Sequence, residues 1–329
     1  MRTRAFQRAD LQVSEVGLGT WQLGGDWGEV GDEQAREVLH AALDAGVTFL
    51  DTADVYGDGR SERLVGVVVA ERGDHDRVTI ATKAGRRADP HVASAYTSEA
   101  LRRWVTRSLD NLGVERIDLL QLHCPPTEVY ADDELFGALD DLVTEGLLSA
   151  YGVSVETCDE ALSAIERPGV ASVQIILNAF RQKPLEAVLP AAEEAGVGII
   201  ARVPLASGLL SGRYDLDTSF PADDHRTYNR TGAAFDVGET FAGVPYEVGV
   251  RAAQEVSALA GDNRSAAQLA LRWILDQEAV TTVIPGARSV EQVEGNVATS
   301  DLPPLGPALH EELRSIYDHH IRPHVHHRW

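Results

Sequence analysis

Val47-Thr-Phe-Leu-Asp51, Val78-Thr-Ile-Ala-Thr-Lys83 and Leu119-Leu-Gln-Leu-His123 are three short, largely apolar runs that each end on an ionisable residue. Near-continuous apolar runs of this length suit strands buried on both faces of a parallel sheet. Working outward from them, the expected strands are Val16–Gly19, Thr48–Asp51, Thr79–Lys83, Asp118–His123, Ala150–Ser154, Val173–Leu177, Gly198–Val203 and Val280–Pro285. Helical periodicity fills the gaps. Asp32–Ala45 places apolar residues at 35, 38, 39, 42 and 43, with Gly46 as a stop. Ser98–Leu112 repeats the pattern, with Ser98 as its cap and Gly113 after its end. Further helices are expected at Arg60–Glu71, Asp132–Glu145, Thr157–Ile165, Pro184–Ala195, Tyr246–Ala260 and Ser265–Gln277. Strands alternating with helices in this way predict an α/β fold, a (β/α)8 barrel rather than an open sheet, with the chain 1–329 as a single domain. Met1–Leu11 reads as a hairpin plugging the bottom of the barrel. The gap between Val203 and Val280 is too long for a simple connection, and Ala206–Val244 reads as a long loop after strand seven, lying over the active face. Gly306–Trp329 reads as a helix and a tail.

The bulk composition narrows the possible partners. Lys plus Arg number 29 against 51 Asp plus Glu, a net charge of −22. Such a surface repels nucleic acid and anionic membranes. No run of about 18 apolar residues is present, as a membrane span needs, and Met1–Asp10 has no signal-peptide core. Two cysteines, Cys124 and Cys158, cannot build a disulfide framework and fit a reducing, cytoplasmic setting. Lys83 and Lys183 are the only lysines. Sparse lysine with excess acid reads as adaptation to high salt; codon bias toward Arg accounts for the missing lysines but not for the acids.

In a barrel the C-terminal strand ends converge on one face. Asp51, Lys83 and His123 therefore become neighbours, and Tyr56 follows in the loop after the second strand. That set suits hydride reduction of a carbonyl, whose oxygen gains charge and needs a proton. A tyrosine hydroxyl has an ordinary pKa of about 10, and a neighbouring ammonium favours its phenolate. The expected roles are Tyr56 as acid, Lys83 as its activator, Asp51 as support for Lys83, and His123 as the donor orienting the carbonyl. Any one charged residue at a strand end is more often merely solvated; four complementary types on one face are harder to dismiss. Cys124 has no partner for thiol catalysis and reads as a buried, inert residue.

The motif Asp51-Thr-Ala-Asp-Val-Tyr-Gly-Asp-Gly-Arg-Ser-Glu62 resembles that of the aldo-keto reductases. So do Gly17-Leu-Gly-Thr-Trp21, Ile80-Ala-Thr-Lys83, Asp118-Leu-Leu-Gln-Leu-His123 and Ile284-Pro-Gly-Ala-Arg288, and the resemblance runs from about Val13 to Asn296. It implies Asp51, Tyr56, Lys83 and His123 as the catalytic four, NADP(H) lying across the barrel mouth, an aldehyde or ketone substrate, and no metal. It further implies cofactor contacts at Gly19, Thr20, Trp21, Asp51, Ser154, Gln174, Arg202, Leu205, Ser207, Gly208, Ala287, Arg288, Gln292 and Asn296. Trp21, Trp27, Tyr56 and His123 are expected in the substrate pocket, Trp27 being equally readable as a packing residue. Three departures stand out. Val155 replaces the family's usual Asn, Arg202 stands where many members stack a tyrosine under the nicotinamide, and Gln292 stands where many NADP-specific members place an arginine. A guanidinium plane can stack, and the Gln292 change predicts some tolerance of NAD(H).

No Gly-x-Gly-x-x-Gly fingerprint is formed by Gly17, Gly19, Gly24 and Gly25, which argues against a Rossmann enzyme. His319, His320, His324, His326 and His327 give the tail a metal-binding composition, but no structural-zinc spacing accompanies them. A cofactor-binding regulatory subunit and physiological alcohol or sugar oxidation are the other readings. The first would be favoured by loss of the tyrosine or lysine, and both are present.

Overall fold

The computed structural model describes residues 1–25, 27–28 and 30–329. A hairpin of β1 (Thr3–Phe6) and β2 (Leu11–Ser14) precedes eight parallel strands: β3 (Leu18–Gly19), β4 (Phe49–Asp51), β5 (Thr79–Ala84), β6 (Ile117–His123), β7 (Leu148–Ser154), β8 (Val170–Ile176), β9 (Gly198–Arg202) and β10 (Val280–Val283). The strands neighbour one another in chain order, each parallel pair being joined by a helical crossover. The Val16 segment closes the ring against β10: Gly17 N–H donates to Val283 O (2.8 Å) and Val283 N–H to Glu15 O (3.0 Å). The fold is the expected (β/α)8 barrel.

The hairpin does seal the bottom. Phe6 and Val13 join Phe49, Ala81, Leu119, Ala150, Ala171, Ile200 and Ile284 in an apolar cluster inside the strand ring. The helices form around it where the amphipathic patterns place them, with local corrections. The helix Ser98–Leu112 is capped by Thr97, not Ser98: Thr97 is extended, and its hydroxyl accepts from Ala100 N–H at 3.2 Å. Gly113 ends that helix in the left-handed conformation, as expected. Two helices of ten residues or more, Tyr246–Leu259 and Ala266–Leu275, lie between β9 and β10, so the former is an addition to the barrel. The barrel's eighth helix is Val290–Val297, short enough that its few apolar positions give little periodic signal.

The loop after β9 is less irregular than its composition suggests. It is built from 3₁₀ turns at Ala206–Ser211, Val237–Glu239 and Phe241–Gly243 and a one-turn helix at His225–Tyr228. It lies over the mouth, where Asp224 makes a bridge to Trp27. The C-terminal segment is packed rather than solvated: the helix Pro307–Ile316 continues through a π turn into Arg322–Val325, and Trp329 is buried. Among the described residues no helix is long and apolar enough to cross a membrane.

Candidate active site

β4, β5 and β6 deliver Asp51, Lys83 and His123 to one end of the barrel, all buried. Lys83 Nζ donates to Asp51 Oδ1 (2.6 Å), Thr52 O (2.8 Å) and Tyr56 Oη (3.3 Å). The Tyr56 and His123 rings meet edge to face, with centroids 6.1 Å apart. Tyr56 is held by backbone packing. At Gly24, a Cβ would stand 2.6 Å from the Tyr56 Cβ and carbonyl carbon, so the one-turn helix Trp21–Gly24 presses directly on the Tyr56 backbone. Trp21 stacks on the Tyr56 ring, with centroids 6.0 Å apart.

Electrostatics set the protonation of each group. Burial is the largest single influence on Lys83 and opposes its charge, but Asp51 and Tyr56 together outweigh it and hold the ammonium above the ordinary lysine value. Burial also dominates at Tyr56 and raises it; Lys83 pulls the other way without reversing the direction. The ammonium thus moderates a phenol that burial keeps protonated, where the sequence led us to expect a net lowering. His123 is held neutral, well below the usual histidine range, by burial and by the nearby cations Arg86, Lys83 and Arg202.

The far side of Asp51 shows what sequence reasoning missed. Its Oδ2 accepts from Gln121 Nε2 (3.1 Å) and Gln174 Nε2 (2.8 Å), and Gln174 also donates to Gln121 Oε1 (3.1 Å). Gln121 was legible as a polar residue inside an apolar strand, two positions before His123 and so on the same face. The Ser154 hydroxyl makes only long contacts, donating to Gln174 Oε1 at 3.5 Å and accepting from Cys124 Sγ at 3.8 Å.

Apart from Lys83, which sits behind Tyr56, the expected site residues line one groove of about 780 Å³. The first loop is tied down by Thr20, whose N–H and hydroxyl both donate to Asp51 O at 2.9 Å. Gly208 and Leu205 line the opposite wall. The Ser207 hydroxyl is spent on the overlying loop, donating to Glu239 O (3.1 Å) and accepting from Phe241 N–H (3.0 Å). Arg202 lines the groove but is not a freely stacking guanidinium. It donates to Val155 O and Glu156 Oε2, both at 2.9 Å, and lies 3.7 Å from Glu239. Glu239 in turn pairs with Arg86 at 2.9 Å. Burial opposes the Glu239 carboxylate, yet Arg86 and Arg202 outweigh it and hold it low, while burial drives Glu156 up. Ligand atoms of Cys124, Glu156 and Glu239 gather within 4.8 Å, but the two arginines already occupy those carboxylates. Two strand-end residues, Cys124 (φ 46°) and Val203 (φ 51°), take left-handed conformations. For a β-branched residue this is disfavoured, and such strain collects at functional sites.

At the groove's far end Ala287, Arg288 and Gln292 gather at the start of the helix Val290–Val297, and Asn296, near its end, reaches Gly286 O at 3.5 Å. Gln292 Oε1 accepts from Arg288 N–H at 2.7 Å and Ser289 caps the helix, so Gln292 organises this turn instead of projecting a cation. Trp21, Trp27, His225 and Phe235 form an aromatic wall beside Tyr56; Trp21 lies 5.7 Å from Phe235, and Trp27 lies 4.4 Å from His225.

Comparison with known proteins places this geometry. The aldo/keto reductase family model matches residues 15–318. The Bacillus subtilis oxidoreductase YqkF is 31% identical over 326 residues, covering 97% of this chain and 96% of that protein. The Bacillus subtilis aldo-keto reductase YhdN is 31% identical over 288 residues, covering 86% of this chain and 84% of its own. Among solved structures, the glycerol dehydrogenase AKR11B4 of Gluconobacter oxydans superposes with a TM-score of 0.79 at 31% identity, covering 97% of this chain and 96% of that one. With a family model across nearly its whole length and the barrel to match, this chain belongs to the aldo/keto reductase family of oxidoreductases.

Proposed function

We propose that the protein reduces an aldehyde or ketone to the alcohol, using NADPH bound along the groove and Asp51, Tyr56, Lys83 and His123 as its catalytic residues. One observation carries this: Lys83 Nζ, buried, lies within hydrogen-bonding reach of both Asp51 and Tyr56. Tyr56, kept protonated by burial, gives its proton to the carbonyl oxygen. Lys83 stabilises the phenolate left behind, and Asp51, fixed by Gln121 and Gln174, holds the ammonium in place. Neutral His123 offers an N–H to the same oxygen without competing as an acid.

The groove fits a nicotinamide dinucleotide chemically. Ser154 and Gln174 offer amide partners beside the reacting end, and Arg288 offers a cation for a 2′-phosphate at the other. When bound, that cofactor supplies the hydride. Because Gln292 is committed to the Arg288 backbone, NADH is expected to bind as well, more weakly. The likeness to a glycerol dehydrogenase supports a second reading of direction, alcohol oxidation, in which Tyr56 phenolate accepts the proton.

Lys83→Met tests the reading. Turnover of a simple aldehyde should fall about 10³-fold, as loss of a positioned acid–base group does, while the NADPH dissociation constant from fluorescence titration stays within about threefold, a shift of less than 1 kcal/mol. Retained turnover in the variant sinks the proposed roles.

A further inference from the structure

We propose that Trp329 is a positioning residue for the substrate wall: with Arg181 it latches the segment Phe235–Gly243, which holds Phe235 and Glu239 at the barrel mouth. The idea rests on the reading of the mouth as a carbonyl-reducing site, but the latch itself is visible in the packing. Trp329 does not line the groove. It is 6% exposed, its Nε1–H donates to Asp236 Oδ1 at 3.0 Å, and the Arg181 guanidinium lies 3.9 Å from its ring centroid. The indole is fitted against two glycines. A Cβ at Gly238 would stand 3.1 Å from Trp329 Cε2, and one at Gly243 only 2.4 Å from its Cη2.

Arg181 is the second half of the latch. It comes from the loop after β8, is 4% exposed, and donates to Ala242 O at 3.2 Å. Among the described residues it has no carboxylate within ion-pair distance, and burial pushes its pKa down to about 10. A buried guanidinium held mainly by a carbonyl and an indole face is an expensive arrangement to keep. What it holds is strained: Phe241 (φ 53°) and Ala242 (φ 58°) are consecutive left-handed residues without being glycine. Such conformations persist only where the surroundings impose them.

The same segment reaches the site at its other edge. Asp236, the partner of the indole N–H, also accepts from Gly238 N–H (2.6 Å) and so shapes the turn that carries Glu239. Glu239 spans to Arg86 at 2.9 Å, and Phe235 packs on Trp21 with centroids 5.7 Å apart. Losing the indole therefore releases the wall that faces the substrate, while the cofactor end around Arg288 and Asn296 is untouched.

The test uses the full chain and three variants: Trp329→Ala, Trp329→Phe, and Asp236→Asn, which weakens the acceptor shared by the indole N–H and Gly238 N–H. Amide hydrogen exchange at 237–242 should quicken by about tenfold or more in Trp329→Ala, with Ser98–Leu112 unchanged. With 4-nitrobenzaldehyde as probe, KM should rise by about tenfold and kcat fall much less, since the wall is displaced and not the proton donor. The NADPH dissociation constant should rise less than KM does, because, of the proposed cofactor contacts, Ser207 is bonded to the released segment while Arg288 and Asn296 stand apart from it. Trp329→Phe should recover most of the KM, because the ring still fills the glycine-lined seat. Unchanged exchange and unchanged KM in folded Trp329→Ala overturn the proposal. If Trp329→Ala fails to fold, Asp236→Asn carries the same comparison in smaller measure, and no change there overturns it too. If the wild type neither binds NADPH nor turns over the aldehyde, the proposed activity fails and the exchange measurement alone decides the latch.

Discussion

The two ends of the barrel are made by the same strands and have opposite chemistry. β4 places Phe49 in the sealed bottom layer and Asp51 at the mouth; β5 does the same with Ala81 and Lys83, β6 with Leu119 and then Gln121 and His123, and β9 with Ile200 and Arg202. Residues two apart on a strand share a face, so a step of about 7 Å separates packing from chemistry. Below, closure by Phe6 and Val13 asks only for fitted volume. Above, every buried polar group needs a partner, and each is fixed by the next: Gln174 and Gln121 hold Asp51, Asp51 holds Lys83, and Lys83 faces Tyr56.

This contrast should separate under mutation. Lys83→Met is the largest expected effect on chemistry, about 10³-fold in turnover or roughly 4 kcal/mol of barrier. Phe49→Ala, one layer below, should instead cost about 3–5 kcal/mol of stability, as truncation of a buried aromatic does. Urea unfolding measures the loss, and kcat per folded molecule should stay within about twofold, a barrier change of less than 1 kcal/mol. If Phe49→Ala lowers kcat by an order of magnitude in fully folded protein, the layers are mechanically coupled and the division drawn here is wrong.

The strands, the plugging hairpin and the strand-end residues were legible in the sequence because short, near-continuous apolar runs mark the strands and three of these runs close on an ionisable residue. Asp51, Lys83 and His123 stand out as charges at the ends of apolar strands. Gln121 is written in the same way, yet a neutral amide within a strand carries weaker contrast. Glu239 was not legible at all. Its pairing with Arg86 and Arg202 depends on how a long connection folds back over the mouth, and nothing local in Val237-Gly-Glu239 encodes that. The same holds for Trp329, which the sequence places only in a tail after the last helix and whose indole is buried against Arg181. The two helices Tyr246–Leu259 and Ala266–Leu275 were expected as separate segments, but which of them is the addition to the barrel was hidden, since both are amphipathic. Thr97 and Ser98 are both capable caps, and only the backbone conformation chooses between them.

Asp54 sharpens the contrast from inside the mouth, because it breaks the rule of satisfied partners. Its residue is fully buried, neither carboxylate oxygen has a hydrogen-bond partner among the described residues, and burial, with Glu62 adding repulsion, pushes its pKa up to about 7. The raised value means that the native state binds a proton the unfolded chain releases. Its contribution to stability is therefore most favourable below the ordinary aspartate value and is lost as pH rises to about 7. Asp54→Asn should remove that slope. The stability advantage of the variant should grow by about 1.4 kcal/mol per pH unit between pH 5 and 7 and level off above. Denaturant melts at pH 5, 7 and 8 read it directly, and a pH-independent difference would mean that Asp54 is ionised throughout.

The smallest expected effect separates the buried mouth from the outer surface. We propose that the net charge of −22 is an adaptation to salt. Exposed pairs such as Arg102–Glu145 and Arg103–Glu99 contribute little, since water screens them and ordering two long side chains offsets the attraction. Screening them away costs little. The unpaired acids, by contrast, repel one another over the whole surface, and shortening the Debye length from about 10 Å at 0.1 M to about 3 Å at 1 M removes most of that repulsion. The balance favours the folded state, so raising KCl from 0.1 to 2 M should lift Tm by about 2 °C, on the order of 1–2 kcal/mol for a chain of this size. Lys83 and Asp51, at 1% and 3% side-chain exposure, lie beyond the reach of that screening, so aldehyde turnover at saturating cofactor should change far less than Tm does. Sucrose, which favours burial without screening charge, is the control that isolates the electrostatic part. A Tm that responds to sucrose but stays flat in KCl would return the scarcity of lysine to codon usage and leave the acid excess without a role in folding.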